Sequence, residues 1–317
     1  MPRLNPVRAK SRWCLSLIAA GVVSLLFCVP SIHAAAGKQL TFATPDRAFT
    51  ALYAAAEADS MADLLRIFGP ESRPLLSSGD PVADRKVLTR FVSLYEEANR
   101  ITMQGADHAI LVMGKDEWPF PIPLVLSGAA WHFDTAAGKE EILDRRIGLN
   151  ELSAIEVCHA YVDAQREYAS KDWNHDGFDE YAQKFASSPG KHDGLYWPVK
   201  AGEEESPLGP LVADAQAAGY EAKPSHSAPT PYYGYYYRIL KAQGSNVPGG
   251  AFDYVVNGHM IGGFALVAFP ASYDVSGVQT FVVNYDGVVY QKDLGPDTAK
   301  IAGQMTRYDP DATWTAQ

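Results

Sequence analysis

The chain has 317 residues, of which 27 are Lys or Arg and 37 are Asp or Glu, so its formal net charge is −10. An acidic surface repels phosphate backbones and anionic headgroups, which excludes nucleic acid and anionic membranes as favoured partners. At this length the chain can bury two hydrophobic cores.

Residues 1–36 have the pattern of a secretory signal peptide. A basic start is followed by an uncharged apolar run over 13–29, and Ala34, Ala35 and Ala36 supply the small residues of a cleavage site. The mature chain is therefore expected to start between Ala35 and Gly37. The alternative is an uncleaved inner-membrane anchor, although Pro30 ends the apolar run early for a span. No later hydrophobic run reaches the length of a membrane span.

Cysteine usage fits export. Cys14 and Cys28 lie within the signal, which leaves Cys158 as the one cysteine of the mature chain. A disulfide within the mature chain is therefore excluded. A cysteine-poor exported chain is typical of a bacterial periplasm.

Residues 37–148 are predicted to form a first domain of helices followed by an antiparallel sheet. Apolar residues recur at helical spacing over 45–66, with Thr44 as the N-cap and an interruption at Asp59 and Ser60. A second helix is predicted over 82–99. Alternate prolines force an extended chain over 118–123, and the predicted strands are 109–113, 124–126 and 129–133. This order resembles the cone-shaped fold of nuclear-transport-factor-like domains.

Residues 149–317 are predicted to form a second α+β domain, with the boundary near Gly148. The longest amphipathic helix is expected over 149–169, and its apolar stripe includes Leu152 and Cys158. Asn257-Gly258 is a strong hairpin signal. A short helix is predicted at 211–218, and strands at 232–240, 252–256, 261–269, 278–283 and 288–292. The long helix is therefore expected to cover one face of a meander of strands.

The most specific chemical pattern follows the long helix. Asp172, Asn174 and Asp176 stand at alternate positions, and Gly177 comes directly after them. Calcium prefers carboxylate and amide oxygens, and a loop with this spacing supplies them at its first, third and fifth positions. Glu180, at the ninth position, completes the set of predicted calcium ligands.

The second half of this loop departs from a full EF-hand. Its twelfth position is Gln183, where an EF-hand has a bidentate glutamate. The alternative is an Asx-rich turn that holds no ion and caps a following helix, since Asp and Asn side chains bond nearby backbone amides. Magnesium fits less well because it demands octahedral geometry.

Other reactive or aromatic residues have two interpretations each. Cys158 and His159 are adjacent and suggest a nucleophile with its base. Neighbours in a helix point to different faces, so this pair is poorly placed for catalysis. Cys158 is therefore predicted to be buried and structural. The aromatic residues of the first domain either line a ligand pocket or pack in the core. They are Trp118, Phe120, Trp131 and Phe133.

Several motifs resemble the bacterial domain-of-unknown-function family 2950. They are WHFD at 131–134 with Gly138 and Glu141, RRIG at 145–148 followed by Asn150 and Glu151, EYAQKF at 180–185, DGLYWP at 193–198, SPLG at 206–209, GYYYRI at 234–239, and a stretch at 281–295. The resemblance spans nearly the whole mature chain. It implies an exported bacterial protein, and it carries over no catalytic residues because the family has none assigned.

Residues 149–295 are also similar in order to the globular part of type IV pilins and pseudopilins, where a long helix, a variable loop and an antiparallel meander follow one another. Some pseudopilins bind calcium in a comparable loop. The helix of this chain lacks the apolar N-terminal half that anchors pilins and forms their filaments, which puts a polymerising role in doubt.

The sequence therefore predicts an α+β protein of the bacterial envelope, periplasmic or secreted. It is expected to be a non-enzymatic binding or accessory module whose partner is an envelope protein or a small ligand. One alternative is an envelope hydrolase that uses Asp176 with Glu180, or Asp116 with Glu117, as general acid and base. The other is a small-ligand carrier with an aromatic pocket in the first domain.

Overall fold

The computed structural model describes residues 38–200, 202–220 and 230–317. The predicted signal peptide, residues 1–36, lies outside this part of the chain. Among the described residues, the helices are all too short or too polar to cross a membrane.

The chain begins with a layer of helices. Their bounds are α1 Pro45–Glu57, α2 Met61–Phe68, α3 Arg73–Leu76 and α4 Pro81–Glu97, with a 3-10 turn at Pro70–Ser72 before α3. Thr44 caps α1 by accepting a hydrogen bond from the Arg47 amide, and Ser60 caps α2 in the same way. The predicted interruption at Asp59 and Ser60 therefore separates two helices.

A five-stranded antiparallel sheet follows these helices. Its strands are β1 Asn99–Gln104, β2 His108–Met113, β3 Trp118–Pro119, β4 Leu124–Ser127 and β5 Ala130–Phe133. They are ordered β1-β2-β4-β5, and β3 pairs with the other end of β2. Strand β1 is the strand of this sheet that the sequence pattern does not predict, because its apolar residues are only Ile101 and Met103, too few to show a strand alternation.

Helix α5, Thr135–Tyr168, is longer than predicted. Asp134 caps it by accepting a hydrogen bond from the Ala137 amide, so the helix begins well before residue 149. It runs without a break through Gly148, near which the domain boundary was predicted. Its buried face also differs from the predicted stripe, since Cys158 is fully buried whereas Leu152 is 63% exposed.

A second five-stranded antiparallel sheet follows. Its order is β14-β13-β12-β11-β6, and α5 packs against its central strands. Two short hairpins, β7 with β8 and β9 with β10, branch off between β6 and β11. The bounds are α6 Gly209–Ala217, β6 Tyr235–Leu240, β7 Ala242–Gln243, β8 Phe252–Asp253, β9 Val255–Val256, β10 His259–Met260, β11 Ala265–Pro270, β12 Gln279–Asn284, β13 Val289–Asp293, α7 Thr298–Gln304 and β14 Thr315–Ala316.

The Asn257-Gly258 hairpin is confirmed as the turn between β9 and β10. Both residues have positive φ, 51° and 94°, as a two-residue type I′ turn requires. In contrast, residues 252–256 are not part of the meander, because they pair within the two short hairpins.

The predicted α+β class is confirmed, with two hydrophobic cores. One contains buried residues between Ala48 and Phe133, and the other contains buried residues between Ala154 and Tyr308. Cys158 lies in the second core, as predicted, and burial raises the pKa of its thiol to about 12. The division of the chain into two domains near Gly148 stays a prediction.

Candidate functional site

The predicted calcium loop begins just after the end of α5 and is fixed to that helix at its far end. Gln165, fully buried in α5, donates to the Ala182 carbonyl and accepts from the Ala182 amide, each at 2.8 Å. Tyr168 donates to the His192 carbonyl at 2.7 Å. The last two turns of α5 therefore hold the chain that leaves the loop.

Asp172 stabilises the turn of the loop. Its two carboxylate oxygens accept hydrogen bonds from the Asp176 amide at 3.1 Å and the Gly177 amide at 2.9 Å. These amides, the Gly177 amide first, hold the pKa of the Asp172 carboxyl below its usual range. Gly177 has a φ of 93°, a conformation that an L residue rarely adopts. The chain therefore turns sharply at Gly177.

Three side chains converge beside this turn, and one of them comes from a distant strand. Ligand atoms of Asp176, Glu180 and His259 all lie within 4.8 Å of one another. His259 Nδ1 lies 3.3 Å from Glu180 Oε2 and 3.6 Å from Asp176 Oδ2. This nitrogen is buried and has no hydrogen-bond partner. The site is therefore formed by the loop and strand β10 together.

Asn174 lies between the two carboxylates. Its amide nitrogen donates to Asp176 Oδ2 at 2.8 Å and to Glu180 Oε1 at 3.0 Å. Its amide oxygen accepts from the Asp176 amide at 3.2 Å. Asn174 thus bridges the carboxylates as a donor, and its side chain would have to rotate to present oxygen to an ion between them.

The chain after the loop pairs with the hairpin that carries His259. Glu180, which is 9% exposed, accepts from the Met260 amide at 3.0 Å, and the Tyr181 amide donates to the Met260 carbonyl at 2.9 Å. Gln183 donates to the Gly258 carbonyl at 2.7 Å. The residue at the twelfth loop position therefore binds the hairpin turn rather than the centre of the loop.

Trp173 fixes the first half of the loop. Its side chain is buried against Trp197, with ring centroids 4.9 Å apart, and the Lys171 ammonium lies 3.5 Å from its ring centroid. Its indole nitrogen is buried without a hydrogen-bond partner.

The alternative prediction, an Asx-rich turn that caps a following helix, is wrong in its second part. No helix follows within the described part of 171–208.

The donor set fits a divalent cation in size. Ligands on opposite sides of an ion are separated by up to about twice the metal–ligand distance, roughly 5 Å for calcium. The group formed by Asp176, Glu180 and His259 is within this limit. Asp172 is not part of that group, and its oxygens are engaged by the backbone. The sequence pattern does not predict His259, because this residue lies far along the chain from the loop.

The aromatic residues predicted for a ligand pocket are divided between two environments. Trp131 and Phe133 are 7% and 1% exposed and belong to the first core. Trp118 is 37% exposed and, together with Phe120, lines an open groove beside that core. The second carboxylate pair lies on the β2–β3 turn, where Glu117 forms an exposed ion pair with Arg100.

Comparison with known proteins identifies a family and no individual relative. A family model described as "Protein of unknown function (DUF2950)" matches residues 39–316. No curated protein matches the chain, and no solved structure matches it.

Proposed function

Because the chain belongs to the DUF2950 family, whose description names no activity, we propose a function from its own residues. The protein is an exported, non-enzymatic module of the bacterial cell envelope. A divalent cation clips its 172–180 loop to the β9–β10 hairpin. The cation stabilises the surface formed by these two segments, which is available to an envelope partner.

The observation that carries the proposal is the buried Nδ1 of His259, which has no hydrogen-bond partner and faces two carboxylates. A buried polar atom without a partner costs about 1–3 kcal/mol. A cation between Asp176, Glu180 and His259 would give this nitrogen a partner. It would also offset the repulsion between the two carboxylates, both of which accept a hydrogen bond from the Asn174 amide.

Calcium is the first ion to test because two of the three convergent residues, Asp176 and Glu180, offer carboxylate oxygens. Rotation of the Asn174 amide would add its oxygen to the set. The His259 nitrogen is a specific reason to test a second class of ion, since imidazole suits zinc and manganese better than calcium.

The envelope location is supported by the signal-peptide pattern of residues 1–36 and by a mature chain with a single, buried cysteine. The similarity to the globular part of pilins is supported by the packing of α5 on the antiparallel sheet. After export, the protein is expected in the soluble periplasmic fraction, with its N-terminal residue between Ala35 and Gly37.

A hydrolase is the weaker proposal because the carboxylates are already engaged. Both oxygens of Glu180 accept hydrogen bonds, from Asn174 and from the Met260 amide. Both oxygens of Asp176 also accept, from Asn174 and from the Phe178 amide. A general acid or base must reach the proton it transfers, and these oxygens already accept hydrogen bonds from the protein.

The cation is tested by isothermal titration of chelator-treated protein with calcium, magnesium, zinc and manganese, alongside the melting temperature. Calcium should bind and raise the melting temperature, since an ion that binds the folded state alone stabilises it by mass action. Asp176→Asn and Glu180→Gln should each weaken binding at least ten-fold.

Asp179→Asn is the matched control, because Asp179 is an exposed acid of the same loop that lies outside the convergent group. It should leave the affinity within two-fold. If zinc or manganese binds, calcium does not, and His259→Gln abolishes the binding, the ion is not calcium. If none of the four ions binds at millimolar concentration, the loop is an Asx turn without a cation and the clip is refuted.

A further inference from the structure

An apolar groove beside the first core is lined by residues of α4 and of the first half of α5. Its volume is about 260 Å³, near the lower end of known ligand sites, which run from roughly 300 Å³ upward. Side chains from α1 to α4 line it together with Ile142 and Leu149 of α5. Trp118 and Phe120 also belong to its lining.

Helix α4 has an apolar face that the protein leaves partly uncovered. None of its residues is fully buried, although Leu88, Phe91 and Leu94 all line the groove. Val87 is 61% exposed and Leu149, across the groove, is 67% exposed. Contiguous exposed apolar surface along a groove is a feature of ligand-binding and interaction sites.

The charge of the groove is opposite to that of the whole chain. Its described lining consists of apolar residues and three arginines, Arg90, Arg145 and Arg146, without an acidic side chain. The chain as a whole has 37 acidic and 27 basic residues. Clustered arginines beside an apolar cleft attract an anion whose remaining part is apolar, since guanidinium groups bind carboxylates in a fixed geometry.

Two of these arginines have structural contacts that also hold the groove in shape. Arg146 donates to the carbonyls of Pro74, at 2.9 Å, and of Leu75. Arg145 pairs with Glu141 and lies 5.4 Å from the Trp118 ring centroid. Arg90 is exposed on α4 beside Phe91. The groove is therefore preformed, with Arg90 and Arg145 exposed where a headgroup would lie.

We propose that this groove binds a single-chain aliphatic carboxylate, a free fatty acid, with its chain along Val87, Phe91 and Leu149 and its carboxylate at Arg90 and Arg145. This goes beyond the cation-clipped module by naming a ligand class. The groove shares no residue with the loop or with the β9–β10 hairpin, so the two proposals stand or fall separately.

The test is isothermal titration of the purified protein with octanoate, decanoate and dodecanoate below their micelle concentrations. Each added methylene that enters the groove should tighten binding about four-fold, which corresponds to ~0.8 kcal/mol. Dodecyltrimethylammonium, with the same chain and the opposite charge, should bind at least ten-fold more weakly than dodecanoate.

Val87→Asp and Thr89→Asp form a matched pair for the groove. Both positions are exposed on α4 and gain the same charge, but Val87 lines this groove and Thr89 does not. Val87→Asp should weaken dodecanoate binding at least ten-fold and Thr89→Asp less than two-fold. Arg90→Gln should weaken dodecanoate and leave 1-decanol unchanged. Circular dichroism should show that each variant is folded, and Asp176→Asn should bind dodecanoate normally.

Four outcomes would overturn the proposal. Dodecanoate could fail to bind the folded protein, or it could bind equally to Val87→Asp and Thr89→Asp. The protein could bind anionic vesicles of phosphatidylglycerol without binding monomeric dodecanoate. Finally, light scattering could show a dimer that Val87→Asp dissociates, which would mean that a second copy covers the groove.

Discussion

Asp80 is a buried carboxylate that joins distant parts of the chain. It is fully buried and caps α4, since its Oδ1 accepts from the Val82 and Ala83 amides, each at 3.1 Å. Its Oδ2 accepts from the Tyr220 hydroxyl at 2.7 Å and from the Gly234 amide at 3.0 Å. Burial and the hydrogen bond to Asp80 raise the pKa of the Tyr220 hydroxyl.

Asp80→Ala should therefore lower the free energy of unfolding by about 3 kcal/mol, because it removes a helix cap and leaves buried donors without a partner. Tyr220→Phe keeps the cap and should cost about 1 kcal/mol. Denaturant unfolding measures both. Asp46→Ala, at an exposed first-turn acid of α1, should stay within about 0.5 kcal/mol. An equal cost for Asp46→Ala and Asp80→Ala would contradict this account.

The buried thiol of Cys158 makes the free energy of unfolding depend on pH in the alkaline range. Burial raises the pKa of its thiol to about 12, above the ordinary value of about 8.5 in an unfolded chain. The thiol therefore stays protonated in the folded state at pH values where the unfolded chain has lost the proton. Its contribution is complete below the unfolded value and is lost as the pH rises toward the folded one.

Between about pH 9 and pH 12 the stability difference between the wild type and Cys158→Ala should fall by about 1.4 kcal/mol per pH unit. The comparison with Cys158→Ala removes the contribution of the buried tyrosines, which titrate in the same direction. Urea midpoints at pH 8, 9 and 10 measure the difference. A difference that does not change over this range would place the thiol in contact with water.

At the scale of elements, α5 shows how a close approach selects glycine. A Cβ on Gly138 would lie 2.6 Å from Ile122 Cγ1 and 2.8 Å from the Pro121 carbonyl oxygen. With a Cβ at this position, α5 and the segment before β4 could not pack at their present separation. Gly148 lies in the same helix, and a Cβ there would meet nothing within 4 Å.

The two glycines should thus respond in opposite ways to alanine. Gly138→Ala should destabilise the protein by about 1–3 kcal/mol, because overlap with a backbone carbonyl outweighs the better helix propensity. Gly148→Ala should stabilise it by up to about 1 kcal/mol. Thermal unfolding compares the pair, and the same sign for both would refute the assignment of Gly138 to a close contact.

The sequence predicted elements whose signals are local, and it missed features that depend on distant residues. Thr44 and the spacing of apolar residues after it predict α1, and Asn257-Gly258 predicts the hairpin of β9 and β10. The first half of α5 was missed because glycine replaces an apolar side chain at Gly138 and the buried stripe weakens. His259 was missed because nothing near it in the sequence indicates that the fold brings it to Glu180.

At the scale of the molecule, α5 connects both cores through the segment around Gly148. Arg146 donates to carbonyls of α3. A turn later, Asn150 donates to the Ser276 carbonyl at 2.9 Å, and Glu151 accepts from the Val278 and Gln279 amides, each at 2.9 Å. These residues belong to the family-like motif at 145–151. The motif therefore contains the contacts that fasten both halves of the fold to one helix.

We expect a single calorimetric unfolding transition, with equal calorimetric and van't Hoff enthalpies, because the two cores share α5. Glu151→Ala should destabilise the second core by about 2–3 kcal/mol and broaden or split the transition. Glu156→Ala, at an exposed position of the same helix, should leave one transition. Two transitions in the wild type would instead make the predicted boundary near Gly148 a true domain boundary.

The burial of Trp173 inside the candidate cation loop has a practical consequence. Trp173 stands between Asp172 and Asn174 in the sequence. Its indole packs against Trp197, and the Lys171 ammonium lies over the ring. A rearrangement of the loop that moves Lys171 or Trp197 relative to this ring would change its surroundings, and the emission of an indole depends on those surroundings. The loop thus carries its own fluorophore, and Trp173→Phe would separate its signal from that of the other tryptophans.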